Sequence, residues 1–149
     1  MRLSNRTLYG LRAVVDLAYH GGDDPMQVSE IADRCAIPGR FLEQIFQDLR
    51  KAGLLESKRG PGGGYRLLAC PEETTIAVLV EALDDLPRLP DVAADGEIES
   101  AAQLADAACG EIVERMVQVL ADVTVAELVK KGERLGLARQ GYEGFVYVI

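Results

Sequence analysis

Apolar residues recur at three- and four-residue intervals through the first third of the chain, the spacing of amphipathic helices. Leu8, Leu11, Val14, Val15, Ala18 and Tyr19 predict a helix over residues 4–20, with Ser4 or Asn5 as N-cap and Gly21-Gly22-Asp23-Asp24-Pro25 as its stop. Val28, Ile31 and Ala32 predict a short helix from Val28 to Arg34, and Cys35-Ala36-Ile37-Pro38 is a tight connection. Phe41, Leu42, Ile45, Phe46 and Leu49 predict the next helix from Gly39 to Ala52, closed by Gly53 in a left-handed conformation. Two short helices across so tight a turn form a helix-turn-helix.

The period then changes. Leu54 to Lys58 and Tyr65 to Leu68 read as strands on either side of Arg59-Gly60-Pro61-Gly62-Gly63-Gly64. Glycines so dense let the backbone lie close against a surface. A helix-turn-helix followed directly by a hairpin is the winged-helix arrangement: a mainly α fold with a small β-hairpin wing, spanning residues 1–84 as a DNA-binding domain. Pro71 to Thr75 leads into a further helix from Ile76 to Leu83.

Residues 85–109 read as a variable linker segment, the least regular part, although Ala101 to Ala108 has helical composition. From Gly110 a long helix carries Ile112, Val113, Met116, Val117, Val119, Leu120 and Val123 on one broad face. Thr124-Val125-Ala126-Glu127 is a capping box, so a short helix follows through Lys130, and residues 110–131 form the candidate dimerisation unit. That face pairs with the same helix of a second chain, giving a homodimer suited to a palindromic site, or packs back on its own domain. Residues 132–149 form a tail. Its β-prone run Tyr142 to Ile149 is either a loose end or an edge strand.

The formal charge of −8 changes this picture only when it is divided. Residues 1–70 hold ten Lys/Arg against eight Asp/Glu, whereas residues 71–149 hold six against sixteen. A mildly basic front and an acidic back suit one face turned to a polyanion. No apolar run reaches the roughly 20 residues of a membrane span, and no signal-peptide core is present, which points to a cytoplasmic protein. Cys35, Cys70 and Cys109 are widely spaced and His20 is the one histidine, which excludes a self-contained zinc finger and a disulfide framework. No nucleophile–base pair or pair of catalytic carboxylates stands out, so an enzyme is not expected.

Candidate DNA contacts follow from the two elements. Arg59, at the entrance to the wing, suits the negative potential of a narrow minor groove. Gly62 and Gly63 bring backbone N–H groups toward phosphate. On the recognition helix Arg40, Glu43, Gln44 and Gln47 lie opposite the core stripe. There Arg40 suits guanine, Glu43 a cytosine amino group and Gln44 adenine, or each is plain solvated surface. Arg2, Arg6, Arg50, Lys51 and Lys58 suit phosphates. Cys35 and Cys70 are read as small buried fillers and His20 as a charge complement to its helix end. Cys109, at the expected start of the long helix, is either a filler or a sensor thiol of lowered pKa.

Several stretches together carry a family resemblance: Met1-Arg2-Leu3-Ser4, Leu11-Arg12-Ala13, Phe41-Leu42-Glu43-Gln44-Ile45-Phe46, Leu49-Arg50-Lys51-Ala52-Gly53-Leu54 and Arg59 to Leu67. They resemble the Rrf-two family of bacterial winged-helix transcription regulators, closely over residues 1–84 and more loosely beyond. The resemblance implies a homodimer on double-stranded operator DNA near promoters, here a repressor. It also implies a sensor segment that in some members holds an iron–sulfur cluster through three cysteines. Here Cys109 stands like the last of the three, the other two are absent, and Ile112 stands where a ligand histidine occurs in relatives. A [2Fe–2S] cluster takes four Cys/His ligands, so no cofactor is expected. The alternatives are a cluster or redox sensor that uses Cys109, with Asp106 or Glu111 as unusual ligands, and a winged-helix protein adaptor that binds no DNA.

Overall fold

The computed structural model describes residues 3–88 and 98–139. In chain order the elements are α1 (Asn5–His20), α2 (Val28–Cys35), α3 (Gly39–Lys51), β1 (Leu55–Lys58), β2 (Gly64–Leu67), α4 (Ile76–Leu83), α5 (Ala101–Asp122) and α6 (Val125–Arg134). The fold is mainly α, with one antiparallel hairpin that pairs Leu55 with Leu67 and Lys58 with Gly64.

Ser4 starts α1 by accepting a hydrogen bond from the Thr7 amide at 3.1 Å. The face this helix buries is rotated from the expected stripe. Thr7, Gly10, Ala13, Val14 and Leu17 are inside, whereas Leu8 is exposed and Leu11, Val15 and Ala18 are only partly covered. The reason is close packing. A Cβ on Gly10 would lie 2.1 Å from Leu83 Cδ1, so α4 crosses α1 where only hydrogen fits. Thr7 donates its hydroxyl to Asp84 at 2.6 Å, which makes a buried polar residue acceptable there.

Around α1 the core takes Ile31 and Ala32 from α2, Leu42, Ile45, Phe46 and Leu49 from α3, and Leu79, Val80 and Leu83 from α4. The turn between α2 and α3 puts Ala36 in the left-handed region (φ 53°, ψ 49°), and the Ile37 amide closes back on the Ala32 carbonyl at 2.9 Å. Gly53 ends α3 with φ 76°, as expected of it.

The second half differs from expectation at two helix ends: α6 runs on to Arg134, past Lys130 and into the residues expected as tail, and the start of the long helix moves. The long helix begins at Ala101, not at Gly110, capped by a reciprocal pair of hydrogen bonds between Ser100 and Gln103. Its first turns are alanine-rich and need no tertiary support to favour helix. The segment from 89 to 97 lies outside the described residues, as does the run Tyr142–Ile149. No residue of α5 is buried, and Leu104, Ile112 and Val119 are each more than half exposed. The capping box at Thr124 and Glu127 starts α6. A bridge between Thr75 and Thr124 then ties the starts of α4 and α6 together and buries Val125 completely.

Candidate nucleic-acid interface

The sequence of α3 makes it a two-faced helix. Leu42, Ile45, Phe46 and Leu49 are anchored in the core, so the 3.6-residue period turns Arg40, Glu43, Gln44 and Gln47 outward, and all four are exposed. The helix start is braced from α1 by an edge-to-face contact of Tyr9 with Phe41, with ring centroids 5.7 Å apart.

The wing is fixed to the same helix. Tyr65 of β2 meets Phe46 edge-on, with ring centroids 5.0 Å apart, and Arg50 near the end of α3 donates to the Ser57 hydroxyl of β1 at 3.2 Å. On its other side β2 is bonded to the chain just before α2. The Met26 amide donates to the Tyr65 carbonyl, and the Tyr65 amide to the Met26 carbonyl, both at 2.8 Å. Cross-strand neighbours Glu56 and Arg66 form an ion pair. Beyond this root the tip is open. Lys58, Arg59 and Gly62 are exposed, and Gly60 and Gly62 have φ of 94° and 71°. The Gly63 amide closes the turn on the Gly60 carbonyl at 2.9 Å, so it faces inward and not toward a ligand.

Among the cations expected at phosphates, Lys58, Arg50 and Lys51 are exposed, Lys51 within 3.3 Å of Asp48. Arg6 is committed within the molecule: its Nε donates to the Leu83 carbonyl at 3.0 Å and its Nη2 pairs with Asp48. Burial opposes ionisation of Asp48, but hydrogen bonds from Lys51 and Arg6 outweigh it and hold the carboxyl below its usual range. Arg2 lies outside the described residues. Sequence reasoning missed Met26 and Tyr65 as the pins of the wing and Arg6 as a strut between α1, α3 and α4. Single contacts between distant positions leave no periodic signal.

The thiols are distributed differently from expectation. Cys35 is partly covered, as a filler should be, but Cys70 is exposed and donates to the Glu72 carboxylate at 3.0 Å. It lies in the turn ahead of α4, where it has no core to fill. Cys109 is exposed more than two turns inside α5. The helix-start position expected for it therefore does not hold.

A winged helix with this outward face and wing also occurs in known proteins. The family profile Rrf2, described as an iron-dependent transcriptional regulator, matches residues 3–131. The chain belongs to the Rrf2 family. The regulator IscR of Vibrio campbellii is 32% identical over 139 residues, covering 93% of this chain and 83% of that one. The solved structure of T. potens IscR superposes with a TM-score of 0.75 at 27% identity over 93% of each chain. The global cysteine regulator CymR of B. subtilis gives 0.75 at 27% identity, covering 88% of this chain and 98% of that one. This Rrf2 chain is thus a transcription regulator and not an enzyme.

The family description raises iron, which the donor set here does not fit. Among the described residues no three His, Cys, Asp or Glu side chains stand together as a metal site. Cys109 supplies one thiol where a cluster takes four ligands, while Cys35 ends α2 and Cys70 lies in the turn ahead of α4. Among the same residues no helix is long and apolar enough to cross a membrane.

Proposed function

We propose that this Rrf2 chain is a homodimeric repressor that reads a palindromic operator with α3 in the major groove and the wing at the adjacent minor groove. The observation that carries the reading is the fixed pairing of two exposed elements. The outward row Arg40, Glu43, Gln44 and Gln47 and the wing with Arg59 are rooted on one another through Phe46, Tyr65 and Met26. In this reading Arg40 pairs with guanine, Glu43 accepts from cytosine and Gln44 or Gln47 reads adenine. Lys58, Arg50, Lys51 and the Gly62 backbone fix register on phosphates. The apolar residues of α5 that its own domain leaves exposed, Ile112 and Val119, support a second copy as partner. Two such readers on a two-fold axis suit half-sites about 34–36 Å apart. The reading routes no step through an iron group.

Fluorescence anisotropy with promoter DNA across a salt series tests it. Specific binding should weaken steeply with salt, and Arg59→Ala should lose at least about tenfold in operator affinity with its melting temperature unchanged. An Arg59→Ala protein that binds like wild type at physiological salt would sink the wing assignment.

A further inference from the structure

The middle of α1, the end of α2 and the α6 region line an open, groove-like cavity of about 550 Å³. Small-molecule sites typically occupy roughly 300–1,000 Å³. One wall is apolar, made by Leu11 and Val15 of α1, Leu128 of α6 and Leu137 beyond it. The rim is held: the Tyr19 hydroxyl donates to the Leu137 carbonyl at 2.7 Å, and a Cβ on Gly132 would come within 2.8 Å of the Tyr19 ring.

The polar wall carries a net positive charge. Asp16 accepts from Arg34 Nε at 3.0 Å and from Nη2 at 2.6 Å, so those two charges cancel. His20 stands 3.6 Å from Asp16, but burial holds its pKa below the ordinary value, against the pull of Asp16, and it is mainly neutral at pH 7. Arg12 has no carboxylate partner among the described residues; its guanidinium lies 5.9 Å from the centroid of the Tyr9 ring. A single uncompensated cation beside an apolar wall matches a ligand with an anionic head and an apolar body.

We propose that this cavity is an effector site for a small organic acid, its carboxylate on Arg12 and its apolar body against Leu11, Val15 and Leu128. Arg34 and Cys35 end α2 immediately before the Ala36 turn that sets α3, so an occupant bears on the orientation of the recognition helix. The effector role rests on the DNA-binding reading; occupancy of the cavity does not.

The test uses the full chain without DNA, titrated with 3-phenylpropionate, with octanoate and with the neutral 3-phenylpropanamide, and followed by amide NMR shifts. Shifts should concentrate at residues 11–20, 34–35 and 128–137. Arg12→Glu, a change at an exposed position checked for folding by circular dichroism, should weaken both acids at least about tenfold. Three outcomes overturn the site: no shifts there with either acid, equal binding of acid and amide, or binding that appears only after the chain is cut behind Arg139. The last would give the cavity to the chain's own end. Operator affinity that does not change when the acid is bound removes the effector role alone. Because occupancy is read without DNA, failure of the operator reading leaves it standing.

Discussion

Carboxylates on and around α1 act as pins, each through a different set of donors. Asp48 takes Arg6 and Lys51, Asp16 takes Arg34, and Asp84 takes the hydroxyls of Ser4 and Thr7. The Ser4 and Thr7 bonds hold Asp84 below the usual carboxylate range, and its charge sits at the positive end of α1. The cysteines show the same dependence on surroundings. Burial first, then the nearby Asp16 charge, pushes the Cys35 thiol from 9.0 up to about 11. Two units lower its thiolate fraction about a hundredfold at neutral pH. Iodoacetamide at pH 8 should therefore alkylate Cys35 at least about tenfold more slowly than exposed Cys70, read by peptide mass spectrometry. Similar rates would mean that Cys35 opens readily to solvent.

At the scale of elements, the wing works as a reader only if its root is rigid. A two-stranded hairpin alone is marginal in water, and this one is held by Met26 on one side and Phe46 on the other. Gly64 makes the first contact possible: a Cβ there would lie 2.1 Å from the Met26 carbonyl oxygen. Gly64→Ala should break the bridge, cost about 2 kcal/mol of stability for its two hydrogen bonds, and weaken operator binding while α3 stays folded. Thermal melts and anisotropy on the same protein check this. Unchanged binding would show that the wing holds its position without the bridge. The turn at Ala36 is a second special point, because a residue with a Cβ sits in the left-handed region where glycine is favoured.

For the molecule as a whole, the unusual surface is α5. Ile112 and Val119 are two turns apart on one stripe and are 57% and 63% exposed. Burying what remains exposed of each against a partner is worth roughly 1–2 kcal/mol. Ile112→Asp with Val119→Asp should move the protein from dimer to monomer in size-exclusion chromatography with light scattering. It should also lower operator affinity, since two linked half-site contacts become one. A wild-type protein that is monomeric at micromolar concentration would remove the dimer from the proposed function. Cys109 lies on this same helix and is exposed.

By itself the sequence determined the helix-turn-helix, the wing and the outward position of Arg40, Glu43, Gln44 and Gln47. These depend on local period: once Leu42, Ile45, Phe46 and Leu49 are fixed inward, the opposite face follows from helix geometry. The glycine run announced the turn for the same local reason, since backbone demands are met residue by residue. The long helix was legible except for its start, where alanine-rich composition and the Ser100–Gln103 cap extend it back to Ala101. What the tertiary structure alone decided are the pairings across distance. Arg6 faces Asp48 and Leu83 instead of solvent, Gly10 marks the crossing of α1 and α4, and Tyr65 joins the wing to Met26. Likewise Tyr19 meets Leu137 at the far end of the chain, closing the rim of a cavity that no segment forms alone. Such contacts depend on which surfaces the packed core brings together, and a partner many residues away leaves no trace in local spacing.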